Sequence, residues 1–165
     1  MLRASRSGLQ RCPLRSRSPT GSASGSGDGW QPLNALPFDA ACGATTVHVT
    51  FPVNREFFRA TTLPDGTTQF QITGALFITY STDAGASVTV NASGPGTQFA
   101  FPNGEFEAQG TGLNSFTWDA VSAATLGVPQ ISVSAGPIDV FFHSDGTVSG
   151  HMGNIIEDVC AELGT

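Results

Sequence analysis

From Ala44 onward the chain alternates apolar and polar residues in short runs separated by turn dipeptides, the pattern of half-buried antiparallel strands. Val47, Val49 and Phe51 alternate with His48 and Thr50, which predicts a first strand ending at Pro52. Phe58 and Ala60 resume the inward phase. Leu63-Pro64-Asp65-Gly66 then supplies proline where a type I turn wants it and glycine where a left-handed residue follows. A three-residue loop at 64–66 places Ala60 opposite Phe70 and Phe58 opposite Ile72. The next run carries Phe70, Ile72, Leu76, Ile78 and Tyr80 on one face.

Ala86, Val88 and Val90 mark a fourth strand, ended by Gly94-Pro95-Gly96. Asn103-Gly104 suits a two-residue type I′ hairpin, which pairs Phe101 with Phe106 and Phe99 with Ala108 and leaves Glu105 and Glu107 outside. Residues 112–129 read two ways: Phe116 and Trp118 alternate like a strand, while 120–126 suits a helical turn equally well. Ile131, Val133 and Ala135 are followed by Ile138, Val140 and Phe142, with the phase shifted by one across Gly136-Pro137, as a bulge would shift it. At Ser144-Asp145-Gly146 a three-residue loop pairs Phe142 with Val148 and Ile138 with Met152. It sets Asp139 opposite His151 and puts His143 on the same outer face. Spacings of three and four among Ile155, Ile156, Val159, Cys160 and Leu163 suggest a short terminal helix.

Eight or nine strands joined mostly by short hairpins make an all-β antiparallel meander. The expectation is closure as an up-and-down, lipocalin-like barrel, with a β-sandwich as the alternative. Cys42 and Cys160 bracket the strand-like sequence, and first and last strands that pair in a barrel would bring them together, so a single structural disulfide is expected in an oxidising compartment.

Composition changes the picture at the N-terminus. Residues 1–29 are rich in Ser, Gly and Arg, include Cys12, and lack the apolar run of a secretory signal, so they read as a disordered basic tail preceding one domain over 30–165. An exported domain without a signal is a contradiction. The reading preferred here is a misassigned or foreign start; the alternative is a domain that is not exported. From Asp28 onward the chain has thirteen acids against two arginines, Arg55 and Arg59, and no lysine, leaving that stretch at −11 with neutral histidines. Such a surface repels phosphate backbones, and the missing lysine removes Schiff-base and P-loop chemistry. No stretch approaches the roughly 20 apolar residues of a spanning helix.

Phe51-Pro52-Val53-Asn54-Arg55-Glu56, Leu63-Pro64-Asp65-Gly66-Thr67-Thr68, Ile72-Thr73-Gly74-Ala75-Leu76, Asn91-Ala92-Ser93-Gly94-Pro95-Gly96 and Asp158-Val159-Cys160 carry a resemblance. Over the span from Cys42 to Cys160 the chain resembles small exported β-proteins of high-GC Gram-positive bacteria with no assigned activity. That resemblance implies export, hence an extracellular location, and an antiparallel β fold; it implies no reaction.

No G-x-S-x-G elbow is present, and no cluster of complementary ionisable groups suggests an enzyme, a cofactor or a metal. Glu105 and Glu107 read as a solvated edge, and Asp65, Asp83 and Asp145 as turn formers. Asn91-Ala92-Ser93 matches a glycosylation sequon that matters only in a eukaryotic secretory pathway. Arg55 and Arg59 are either salt-bridged locally or a candidate anion contact, and Asp139, His143 and His151 form an exposed cross-strand group. Two functions compete. One is a module binding a small apolar ligand in a Phe-lined interior; the other is a structural or interaction protein of the cell exterior with a packed core. From the charge distribution, residues 30–165 are expected to give no duplex-DNA gel shift at low salt, and a shift seen only with the five tail arginines present is expected to vanish as salt is raised.

Overall fold

The computed structural model describes residues 29–165; the basic tail through residue 28, with Cys12, lies outside the described residues. In chain order the strands are β1 (Gln31–Pro32), β2 (Phe38–Cys42), β3 (Thr45–Thr62), β4 (Thr68–Ser81), β5 (Ser87–Asn91), β6 (Gly96–Ala100), β7 (Phe106–Gly110) and β8 (Leu113–Thr117). Helix α1 (Ala120–Leu126) follows, then β9 (Ile131–Ala135), β10 (Ile138–Phe142), β11 (Val148–His151), β12 (Asn154–Asp158) and α2 (Val159–Glu162).

All pairings are antiparallel. One sheet runs β1-β3-β4-β6-β7-β10-β11, with β2 added to the first part of β3 and β5 to the last part of β4. A second sheet runs β12-β9-β8. Neither sheet closes through hydrogen bonds between its end strands, so the described residues form two open antiparallel sheets and not the hydrogen-bonded ring of the expected barrel.

Pro52 does not end a strand. β3 continues through it, and the ladder to β4 slips between Thr50 and Val53, where a proline without an N–H has no bond to give. The long β3–β4 hairpin thus spans two half-sheets. In the first, Val47, Val49, Ile78, Tyr80 and Val90 pack with Ile131 and Val133 of β9 and with Val159 and Leu163. Each such fully buried aliphatic side chain contributes about 1.5–3 kcal/mol. In the second, Val140, Val148 and Met152 pack under Trp118 and Ala123, with Phe116, Phe142 and Leu126 at the margin.

Three hairpin tips share one chemistry. In 63–67, 101–105 and 143–147 the first residue's N–H donates to the fifth residue's carbonyl, and the glycine N–H donates back to the first carbonyl. Asp65, Asn103 and Asp145 each accept from the N–H two residues on, at 2.9, 3.1 and 2.9 Å. Gly66, Gly104 and Gly146 take φ of 87°, 86° and 86°, the left-handed region that closes a three-residue loop. The registers at the first and last tips follow the alternation: Ala60 faces Phe70, Phe58 faces Ile72, Phe142 faces Val148 and Asp139 faces His151.

The middle tip corrects the type I′ expectation. Pro102 fixes the first loop position at negative φ, and no described residue other than glycine has positive φ, so Asn103 cannot enter a I′ turn. Ala100 therefore faces Phe106 and Phe99 faces Glu107, a register one residue away from the expected one. Glu107 is buried as a result, and Glu105 is half-buried.

Two further readings change and one left open is resolved. Gly136-Pro137 is no bulge but the point where the chain leaves one sheet for the other. The segment 112–129 is strand and then helix: β8, followed by α1 with Asp119 accepting from the N–H groups of Val121 and Ser122 and Gly127 as a left-handed cap. Ile155 and Ile156 belong to β12, whose register slips between Ile155 and Glu157; that slip imitates helical spacing, and the helix is confined to Val159–Glu162.

Cys42 at the end of β2 and Cys160 in α2 form a disulfide with 5.4 Å between Cα atoms, tying residues 118 apart in sequence. A double Cys42→Ala, Cys160→Ala variant is expected to lose about 4–5 kcal/mol of stability through the freed loop entropy. Denaturant unfolding of oxidised wild type beside the variant measures it.

Candidate functional site

The inward phase of β3 that carries Phe58 and Ala60 begins one step earlier, at Glu56. Opposite Glu56 stands Gly74 with φ 135°; a Cβ there would lie 2.2 Å from the Arg55 carbonyl oxygen, so only glycine lets β3 come this close. Asn54 fixes the local chain: its Nδ2 donates to the Leu33 carbonyl at 2.8 Å, its Oδ1 accepts from the Glu56 N–H at 3.2 Å, and the Leu33 N–H donates to the Glu56 carbonyl at 2.9 Å. Leu33 is thereby held across the concave face of the large sheet.

That face is covered unequally. Over β10 and β11, Trp118 and Phe116 close it, with Trp118 stacked on Phe142 at 5.7 Å. Over β3, β4 and β6 it stays open as a cleft of about 380 Å³ lined by Leu33, Phe58, Phe70, Ile72, Gln98 and Phe106. All five apolar groups are only half-buried. Leu33, Ile72 and Gln98 also border an inner compartment of about 190 Å³, reaching Glu56, Asn114, Ser115 and Phe116. Small residues make this room: Ala92, Gly94, Gly96 and Ala108 line it where larger side chains would fill it.

Glu56 is 8% exposed, and among the described residues nothing donates a hydrogen bond to its carboxylate or pairs with it. Burial pushes its carboxyl above the ordinary value of 4.5. It is the one ionisable residue among those lining the inner compartment. At the far wall Ser115 Oγ is within 2.8 Å of the Tyr80 hydroxyl and donates to the Ser132 carbonyl at 3.1 Å.

Arg55 and Arg59 lie on the opposite face of β3, alternating with Glu56. Among the described residues no acid pairs with either. Arg59 donates to Gln71 Oε1 and its guanidinium sits 5.2 Å from the Trp30 ring. Asp139 and His151 do face each other across β10 and β11, but His143 leaves the group: it lies 3.5 Å from Glu105, bonds to Ser149 Oγ at 2.8 Å and stacks on Phe141. Glu107 is not a solvated edge. It accepts from Gln109, and burial raises its carboxyl, with Asp139 adding repulsion.

Two features escaped the sequence. His48 bridges Asp39 and Asp83, each at 2.8 Å, and hydrogen bonds to Asp83 first and Asp39 second raise its pKa above 6.5. Asp39 was invisible because β2 was not foreseen, although Gly43-Ala44 between two alternating runs is a II′ hairpin signal, with Gly43 at φ 58°. Glu56 was grouped with its basic neighbours, although its phase with Phe58 and Ala60 points it inward.

No protein-family model, no curated protein and no solved structure matches this chain.

A raised carboxyl pKa means the folded state holds the proton more tightly than the unfolded chain. The contribution of Glu56 to stability is therefore greatest at low pH and falls as pH rises from about 4.5 through the raised value. Glu56→Gln is expected to match wild type in unfolding midpoint near pH 3.5, to exceed it increasingly as pH rises through that window, and to keep a constant lead above it. Urea unfolding at a series of pH values checks this.

Proposed function

We propose that this chain is an exported, non-enzymatic β domain that binds a small apolar ligand in the cleft over β3, β4 and β6, the large sheet acting as an incompletely closed barrel. The observation that carries this reading is the cleft: four large apolar side chains, Phe58, Phe70, Ile72 and Phe106, stay half-exposed around about 380 Å³, a size within the range of small-molecule sites. Packing them against each other would have been more stable, and Trp118 does cover the same face two strands away. Two larger depressions carry aspartates in their walls, Asp39 and Asp119 in one and Asp139 in the other, and suit an apolar ligand less. The disulfide fits an oxidising compartment and so supports export, and no helix among the described residues is long and apolar enough to cross a membrane.

The second reading, an interaction protein of the cell exterior, draws on the convex face, where Trp30, Phe57 and Phe77 are exposed. Nucleic acid is not a partner in either reading, given the acidic domain.

Titration with a neutral apolar fluorophore such as N-phenyl-1-naphthylamine tests the cleft. One site per chain with enhanced, blue-shifted emission is expected, and Ile72→Trp, which fills the cleft, is expected to weaken binding about tenfold or more, a change of about 1.4 kcal/mol. Non-saturable binding, or binding unaffected by Ile72→Trp, would count against the reading.

A further inference from the structure

The inner compartment gives the cleft a polar end, and its composition restricts what enters. Along one path from the mouth, Phe70, Phe106 and Ile72 give way to Gln98 and then to Glu56. The last of these is a residue 8% exposed whose carboxylate has no partner among the described residues. Taking a lone carboxylate out of water costs several kcal/mol unless a charge or donors replace the lost hydration. Here the protein supplies none: Arg55, next in sequence, is on the far face of the strand, and no other residue lining the compartment ionises. Unless the carboxyl holds a proton, the replacement has to come from outside. The domain's charge of −10 over residues 30–165 draws cations and repels anions, which decides between an ammonium and a carboxylate as the group that arrives.

We propose that the cleft selects a cationic amphiphile, a molecule with a single ammonium head that pairs with the Glu56 carboxylate in the inner compartment and an apolar tail that lies against Phe58, Phe70 and Phe106. This rests on the ligand-binding reading above and names the ligand class for the same cleft. Gln98 and Asn114, at the compartment wall, offer carbonyl oxygens for the remaining ammonium hydrogens. An amine that binds as its cation favours the ionised form of Glu56, so binding in the pH range where the free protein still holds that proton releases it to the buffer.

The experiment is isothermal titration of the full chain with octylammonium, octanol and octanoate, each in two buffers of different ionisation enthalpy, for wild type and Glu56→Gln. All three share one tail, so differences report the head. Octylammonium is expected to bind one per chain about tenfold or more tighter than octanol, the scale of a hydrogen bond to a charged group, with octanoate weakest. Its apparent enthalpy is expected to change with buffer as pH is lowered through the range in which Glu56 takes up its proton, showing proton release. In Glu56→Gln the ammonium preference and the buffer dependence are expected to vanish, octylammonium and octanol then binding alike. A cooperative urea unfolding transition shows that the variant keeps its fold. Equal binding of octylammonium and octanol to wild type, or a preference that survives Glu56→Gln, overturns the ammonium assignment and leaves the apolar cleft standing. Failure of all three to bind overturns both.

Discussion

The pairing of β3 with β4 is the constraint both half-sheets share. β3 and β4 run 18 and 14 residues, far longer than the strands around them, and their ladder is interrupted only between Thr50 and Val53. One half of the hairpin must fit β9 beneath it, while the other half must carry β6, β7, β10 and β11. A single side-chain period cannot serve two differently oriented surfaces without a break. Pro52, with no N–H to lose, sits where that break costs least. The disulfide then holds the far end of the first half, joining β2 to α2 across the β9 layer.

Downstream of the break, close approach of backbones takes the place of side-chain packing. Gly74 allows β3 and β4 to meet tightly beside Glu56, and Gly94 leaves no room for a Cβ against the Thr111 and Leu113 carbonyls. Chain that packs through its backbone leaves space where side chains would have stood, and the inner compartment is that space. The same stretch holds the one buried carboxylate without a described partner, so stability is given up at a place where volume is also given up. A core selected for stability alone would combine neither.

How much of this was legible follows from which interactions are local. Loop registers at Pro64-Asp65-Gly66 and Ser144-Asp145-Gly146 could be read because turn chemistry and alternation agree there. At Asn103-Gly104 the dipeptide and its preceding proline disagree, and the proline prevails because its φ is covalently fixed. Alternation also put Phe70, Ile72, Leu76, Ile78 and Tyr80 on one face of β4. It could not say that the sheet would stay open, because closure depends on which strands meet at the ends, a long-range matter. The cleft was illegible for a related reason: its walls come from β3, β4, β6 and β7, and its emptiness from small residues in the 92–96 connection, which no period marks. Glu56 alone could have been found, by extending the phase of Phe58 and Ala60 two residues back.

The three matching hairpin tips lie in one row, since Thr68, Ala100, Phe106, Phe142 and Val148 are successive neighbours across the sheet at the same end. Phe70 and Phe106, at the mouth of the cleft, sit within two residues of that rim. Each tip is closed by its own glycine and its own Asx side chain, so the register below it does not depend on what the tip presents to solvent. The rim is therefore a modular border: residues such as Pro64 and Ser144 are free to be exchanged as recognition elements without disturbing the strands that hold the pocket. In this fold, selectivity at the entrance and integrity of the scaffold are written into different residues.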